Sequence, residues 1–363
     1  MPKKILVVGA GPAGCYFASR TENYDITIIE EHPEIGKPVQ CAGIVSSEIT
    51  KLLKIRKEFL VNTIDKARIY SPNGNYLQLK FKNPNYVIDR HKFDSFLAEQ
   101  AEKKGVKILK SHKLIDINGK KVVVENDGTK KQLAFDKLIG ADGPMSRTAL
   151  KLGIVKSHHH KDFWTGMQAR VKLKNDNAVE FYPYIGTYAW VIPESSEVVR
   201  IGVVGEYSVA ETFNKFLSQR LPKNSKILDR QAGLIPKPKP FKKMQKNDTI
   251  LLGDAAKQIK ALTGGGLVPG LTAAGLLAES LSYTWPIRKK LSKNLFLNSL
   301  MRHVLDNFRD RDYNNLILAL NEPKVKKILE ETDRDYPSKY ILKLILRKPS
   351  LLLYGSKLLK RKA

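Results

Sequence analysis

The sequence predicts an α/β fold, and three observations carry that expectation. An apolar run, Ile5-Leu6-Val7-Val8, leads directly into Gly9-Ala10-Gly11-Pro12-Ala13-Gly14. From 164 to 204 the pattern turns to strands separated by turns, at 164–173, 179–184, 187–192 and 198–204. Residues 249–252 then return to a buried strand, and helices run from about 270 to the end. The expected architecture is a discontinuous Rossmann-like nucleotide domain (1–62, 92–157 and 246–290) with an inserted antiparallel β-sheet domain (63–91 and 158–245). A helical C-terminal region (291–363) follows.

The opening unit has a short buried strand, glycines at G-x-G-x-x-G spacing and a helix start. Gly9 permits the tight turn, Gly11 lets the backbone approach a diphosphate, and Gly14 lets the helix pack on the strand. Amides at the helix N-terminus, beside Gly11 and Ala13, favour an anion there. The second strand, Asp25–Ile29, ends in Glu30, 21 residues after Gly9, where a carboxylate suits a ribose hydroxyl. A helical stretch is expected at 46–59, then strands at 67–70, 76–81 and 86–88, with a turn at Ser71-Pro72-Asn73-Gly74. Residues 93–104 have helical periodicity ended by Gly105, and strands are expected at 106–109, 122–125 and 138–140. Pro236, Pro238 and Pro240 read as a stiff connector.

The net charge of +27 asks for an acidic partner: nucleic acid, an anionic lipid surface or an acidic electron carrier. A lysine-rich solvated surface of a heat-adapted protein explains part of it. No nucleic-acid module is present, so nucleic acid is the weakest of these. Two cysteines, Cys15 and Cys41, make no disulfide framework and fit a reduced cytoplasmic setting, and no basic-plus-apolar leader opens the chain. The longest charge-free stretch, 261–278, just reaches the length of a membrane span but holds five glycines, a proline and two threonines. It reads as a loop and a buried helix. His158-His159-His160 has no companion ligands, and no metal is expected.

Further along, Leu251-Leu252-Gly253-Asp254-Ala255-Ala256 ends a strand in Gly-Asp before the loop Thr263-Gly264-Gly265-Gly266-Leu267. A carboxylate there can take a sugar-chain hydroxyl, and the glycines let backbone lie against a flat ring; a capped helix start is the plainer alternative. Asp89-Arg90-His91-Lys92-Phe93-Asp94 places a cation at a helix start, and Gly140-Ala141-Asp142-Gly143 puts an acid after a buried strand. Taken in chain order, the glycine turn at 9–14, Asp89-Arg90, Gly140-Ala141-Asp142-Gly143 and Gly253-Asp254-Ala255 resemble the FAD-dependent hydroxylase superfamily over residues 1 to about 290. The resemblance implies FAD as cofactor, Arg90 touching it, Asp254 on its ribityl chain, and Gly266 and Leu267 beside the ring.

Within that superfamily, Gly36-Lys37-Pro38-Val39-Gln40-Cys41-Ala42-Gly43 resembles the geranylgeranyl reductase family, whose archaeal members saturate the isoprenoid chains of ether lipids. Tyr188-Ala189-Trp190-Val191-Ile192-Pro193 resembles the same family's aromatic-Trp-Pro signature, with Ile192 in place of the usual Phe. The resemblance implies hydride transfer from reduced flavin to an isolated alkene, with Cys41, Ala42 and Gly43 near the ring. Such an alkene has no carbonyl to accept charge, so a proton must reach its other carbon inside a closed apolar site. Cys41 can donate or relay it; a buried structural cysteine is the alternative. Tyr188, Trp190 and, on the neighbouring strand, Tyr182 are candidates to line a lipid tunnel, and Cys15 is read as core.

Residues 338–363 carry eight Lys or Arg and no acid among leucines. They read as one or two basic amphipathic helices broken at Pro349, lying peripherally in an anionic headgroup layer. A helix pair packed on the cofactor domain is the alternative. The electron donor is left open between NAD(P)H and a ferredoxin-like protein, because no second dinucleotide motif occurs. A flavin monooxygenase on an apolar aromatic or polyene is the second enzymatic reading. A lipid- or RNA-binding protein with a relic flavin is the non-enzymatic one.

Overall fold

The computed structural model describes residues 2–222, 225–239, 244–281 and 284–359. Its first layer is a six-stranded sheet in the order Gln245–Lys246, Thr249–Leu251, Lys137–Gly140, Lys4–Val8, Asp25–Ile29, Lys107–Leu109. All neighbours are parallel except the first pair. Ile5 to Val8 are buried, as a strand covered on both faces requires. One face carries the helices Pro12–Arg20, Arg90–Glu102 and Leu267–Ser280. Pro12 begins the first of these, where its missing N–H costs nothing. Asp89 caps the second by accepting from Lys92 N at 3.1 Å.

The other face is closed by a three-stranded antiparallel sheet, Lys113–Asn118, Lys121–Asn126 and Thr129–Ala134, through Leu114, Val122 and Val124. Only the middle strand is legible in the sequence, because the outer two are rich in Lys, Asp and Asn. The 46–59 stretch is not a helix of that length: Ile44–Val45 is a short strand and only Ser47–Lys51 forms a single 3-10 segment. Its polar groups are taken by tertiary partners instead, Ser46 Oγ donating to Asp335 at 2.7 Å and Ser47 Oγ to Asp333 at 3.1 Å.

The second large sheet has eight strands, in the order Ile227–Pro236, Phe163–Lys172, Val198–Gly205, Tyr188–Pro193, Ala178–Tyr182, Leu60–Tyr70, Tyr76–Ile88, Ile44–Val45. It is antiparallel except where Ala178–Tyr182 runs alongside Leu60–Tyr70. The hairpin at 71–74 joins two strands much longer than expected, and Gly74 supplies its positive φ of 85°. The strand Ile227–Pro236 and the helix Val209–Arg220 have no counterpart in the sequence reading. Pro236 ends a strand rather than opening a connector, and Pro240 lies outside the described residues.

Helix Val209–Arg220 covers one face of this sheet through Phe213, Phe216 and Leu217. The opposite face looks toward the parallel sheet. Helices Thr284–Asp306, Asp310–Leu320, Pro323–Glu331 and Pro337–Arg347 and the 3-10 stretch Pro349–Leu359 complete the chain. They are tied back by Arg302 Nη1 to Thr187 O at 2.9 Å and Tyr313 Oη to Pro183 O at 3.0 Å. Among the described residues no helix is long and apolar enough to cross a membrane.

Candidate active site

A cavity of about 720 Å³ runs between the two sheets. That volume is within the range of small-molecule and cofactor sites. One of its walls is the dinucleotide turn. A Cβ on Gly9 (φ 99°) would lie 2.5 Å from Ala141 O, and one on Gly14 would lie 2.2 Å from Gly9 O, so both positions need glycine. A Cβ on Gly11 meets nothing within 4 Å, which leaves open space where a diphosphate would sit. Gly14 packs helix on strand and does not line the cavity, whereas Gly9, Gly11 and Ala13 do. Glu30 lines it too, and it also braces the turn: Oε2 accepts from Ala10 N at 2.8 Å and Oε1 from His32 N at 3.0 Å.

Asp254 enters from the strand end at Thr249–Leu251. Burial pushes its carboxyl up to about 6, and the Arg90 guanidinium opposes that rise. A Cβ on Gly266 would lie 2.7 Å from Asp254 Oδ1, and one on Gly264 would lie 2.3 Å from Tyr188 Oη. The 264–266 loop therefore runs as bare backbone along the cavity, with Leu267 opening the following helix. Arg90 lies in the lining, gripped by Asp94 through two bonds of 2.9 Å, and its guanidinium borders the Cys41 sulfur. Cys15 is in the core, donating to Ala10 O at 3.2 Å, and burial raises its thiol well above the ordinary value.

The Cys41-Ala42-Gly43 loop lies between the two walls and is held from the eight-stranded sheet. Arg200 Nη1 donates to Ala42 O at 2.7 Å and to Ile88 O at 3.2 Å, and Gln231 Nε2 donates to Cys41 O at 3.3 Å. Gly43 (φ 73°) passes so close that a Cβ would lie 2.1 Å from Arg200 Nη1. Its amide donates to Cys41 Sγ at 3.3 Å. Arg200 is aimed by Glu194, which accepts from Arg200 Nε at 2.5 Å and from Arg170 at 2.8–2.9 Å. Burial works to raise the Glu194 carboxyl, but the two guanidinium groups hold it below its usual range. None of these sheet residues was singled out from sequence. Their only sequence signal is a charge in an otherwise apolar strand, Val198–Gly205.

The facing wall is apolar. Val179, Phe181, Tyr188, Trp190, Ile192 and Ile235 all line the cavity. Tyr188 and Trp190 are where the sequence puts them; Tyr182 is not. Residues opposite each other in an antiparallel pair share a face, and Tyr182 pairs with Ala189 while Phe181 pairs with Trp190. Tyr182 therefore points to the other side, stacked on Tyr70 at 4.8 Å, packed on Phe216 at 5.0 Å and donating to Glu180 at 2.5 Å. The period of two was read correctly and its phase was one residue off. Buried Gln168, which lines the cavity, accepts from Trp190 Nε1 at 3.0 Å, and its amide nitrogen has no hydrogen-bond partner among the described residues.

A parallel nucleotide sheet, a glycine turn over open space and a buried carboxylate beside a bare-backbone loop define an FAD-dependent oxidoreductase. Residues 3–202 match the family model described as pyridine nucleotide-disulphide oxidoreductase. The digeranylgeranylglycerophospholipid reductase of Methanococcus vannielii is 30% identical over an alignment of 392 positions that covers 98% of each chain. The protein of that name from Methanocaldococcus jannaschii is 28% identical with the same coverage. This chain belongs to the digeranylgeranylglycerophospholipid reductase family. Its fold matches a geranylgeranyl bacteriochlorophyll reductase-like protein from Thermoplasma acidophilum with a TM-score of 0.83 at 22% identity, over 98% of this chain and 99% of that one.

The residues present suit FAD. Open space at Gly11 takes a diphosphate on the amides of the first helix. Asp254, buried and with a raised carboxyl, is an acceptor short of donors, which ribityl hydroxyls supply. The 264–266 backbone leaves the room a flat ring needs.

Proposed function

We propose that this chain hydrogenates the C=C bonds of geranylgeranyl chains on an archaeal-type glycerophospholipid precursor. The observation that carries this is the apolar wall of Val179, Phe181, Tyr188, Trp190 and Ile192, which shares one cavity with the cofactor cradle and the Cys41 loop. In this reading the parallel-sheet part holds the cofactor and the eight-stranded sheet holds the substrate.

Bound FAD, once reduced, supplies the hydride. The chain's own residues do the rest. Gly9, Gly11, Ala13 and Glu30 hold the dinucleotide end, and Asp254, Gly266 and Leu267 hold the ribityl chain and ring. The apolar wall would exclude water from the alkene. The Cys41 thiol delivers the proton from Sγ. The negative charge left on sulfur is met by the Gly43 amide and the Arg90 guanidinium, both already beside it. Arg200 and Gln231 keep the loop, and hence Sγ, in place.

Two partners complete the reading. Helix Pro337–Arg347 buries Tyr340 and Leu344 but leaves Leu342 (64%) and Leu346 (72%) exposed, with Lys343, Arg347 and Lys348 close by in the chain. Leu352 and Leu353 are exposed just beyond. This supports peripheral contact with an anionic bilayer, where the substrate is found; residues 360–363 lie outside the described residues. The electron donor is NAD(P)H or an acidic ferredoxin-like protein, and the charge of +27 supports the second.

The test is anaerobic. Protein reduced with dithionite is mixed with digeranylgeranylglyceryl phosphate, and the flavin spectrum is followed alongside the lipid mass. Flavin reoxidation with one added hydrogen pair per double bond is the expected result. A reduced flavin that ignores the lipid and consumes oxygen to hydroxylate an apolar aromatic or polyene would establish the monooxygenase instead.

A further inference from the structure

We propose that Arg334 is the phosphate-recognising residue of the cavity, so that the substrate is read by its anionic headgroup as well as by its chains. The inference rests on the lipid reading of this cavity and adds a polar subsite to it.

The observation is a cation in the lining that makes no ion pair among the described residues; the nearby Asp335 carboxylate feels its charge but is itself paired with Lys260. Arg90, Lys37 and Lys260 also line the cavity, and each is neutralised: Arg90 by Asp94, Lys37 by Glu34, Lys260 by Asp335. Arg147 and Arg334 line it with no ion pair among the described residues. Arg147 follows the Asp142-Gly143 turn beside Gly9, at the dinucleotide end. Arg334 instead arrives from the C-terminal region, next to the continuation of the Cys41 loop.

The neighbours of Arg334 are engaged elsewhere. Asp335 accepts from Ser46 Oγ at 2.7 Å and pairs with buried Lys260. Asp333 accepts from Ser47 Oγ at 3.1 Å and from Asp335 N at 2.8 Å, and Tyr336 donates to Glu48 at 2.9 Å. The segment is bolted down on both sides of Arg334 while Arg334 itself stays turned to the cavity. Its Nε is buried and has no hydrogen-bond partner among the described residues. A partly desolvated guanidinium beside a carboxylate, Asp335, that Lys260 already pairs is a poor choice for stability alone. Its planar fork suits two oxygens of a phosphate monoester. The position is chemically apt as well, because the polar end of a glycerophospholipid must be fixed while the chain lies on the apolar wall.

The experiment compares holoenzyme and Arg334→Gln on two lipids, digeranylgeranylglyceryl phosphate and the same lipid without its phosphate. Wild type is expected to prefer the phosphorylated lipid in kcat/KM. The variant should lose about 10- to 100-fold on that lipid, the range of a charge-assisted hydrogen bond, and stay within about 2-fold on the neutral one. Arg334→Lys should keep part of the preference. Glycerol 1-phosphate should compete with the lipid in wild type and not in Arg334→Gln. Inorganic phosphate that binds at Arg334 without raising the lipid KM would point to a free-anion site and overturn the headgroup assignment. Equal losses on both lipids, or a shifted flavin spectrum with the phosphate preference intact, would overturn it too. If Arg334→Gln fails to retain FAD, Arg334→Lys on the same two lipids decides. If wild type reduces neither lipid, the proposed function falls. If wild type and variant reduce both alike, that function stands and only the role of Arg334 is lost.

Discussion

The two walls of the cavity are made by different means. The cofactor wall is assembled from short runs: Gly9 to Gly14, Glu30 at a strand end, Gly253-Asp254, and Gly264 to Leu267. The glycine runs carry a local backbone logic, a positive φ or an absent Cβ, and the runs are recognisable by occurring together in chain order. The substrate wall has no such runs. Val179, Phe181, Tyr188, Trp190, Ile192, Gln168 and Gln231 come from four strands, and the Arg200 that fixes Ala42 is 158 residues away in the chain. A nucleotide with a constant diphosphate needs a constant cradle. A flexible hydrocarbon needs only a dry surface, which many combinations of side chains provide.

The largest expected effect lies where the walls meet. Cys41→Ala should lower alkene reduction by about 10²- to 10⁴-fold, the range for loss of a general acid, while leaving the unfolding free energy within about 1 kcal/mol. Single-turnover reoxidation of dithionite-reduced enzyme by the lipid measures it. A loss under tenfold would make Cys41 a loop residue and move the proton source to the other wall.

Arg200→Met comes next and tests whether the substrate wall really holds the Cys41 loop. It removes two bonds to carbonyls and leaves buried Glu194 with Arg170 alone. Breaking a buried pair costs about 3–5 kcal/mol. Urea denaturation should show that loss, and Arg200→Met/Glu194→Gln should recover part of it. A change below 1 kcal/mol would mean that the loop is held from the cofactor side.

Asp254→Asn sharpens the other wall. The carboxyl is raised from 3.8 to about 6, so its contribution to the stability of the cofactor-free protein is present below 3.8 and lost as pH rises through 6. A shift of that size corresponds to about 3 kcal/mol at most, and water in the open cavity reduces it, giving about 1–3. Above pH 6 the cofactor-free Asn variant should therefore be more stable than wild type by that amount. FAD should bind the variant more weakly, because the ribityl donors lose a charged acceptor. Melting curves at pH 4 and pH 8, with and without FAD, decide it; an Asn variant no more stable at pH 8 would mean the carboxylate is solvated.

What was legible follows the same division. The parallel strands, the glycine turn, Asp254 and the 264–267 loop could be read because their constraints are local in sequence. The outer strands Lys113–Asn118 and Thr129–Ala134 could not: the first buries only Leu114 fully, and the second is exposed at every position but half-buried Leu133. Strand Ile227–Pro236 is an edge strand with mixed polarity, and its identity comes from pairing with Phe163–Lys172. The Arg200–Glu194–Arg170 network is invisible for a further reason: a charge on a strand reads as solvent-facing until its partners are known.

Tyr182 gives the smallest effect and the cleanest separation of the two faces of the sheet. Tyr182→Phe removes the hydroxyl that donates to Glu180 and keeps the ring on Tyr70 and Phe216. The loss should be about 1.5–3 kcal/mol of stability, as for one hydrogen bond to a charged acceptor. Kinetic constants for the prenyl lipid should not change, because the side chain is outside the cavity. Phe181→Ala, one residue earlier, opens the apolar wall itself and should raise the lipid KM. If Tyr182→Phe alters turnover at unchanged stability, the lipid reaches the far face of the sheet, and the phase of the strand would no longer separate the cavity from the core behind it.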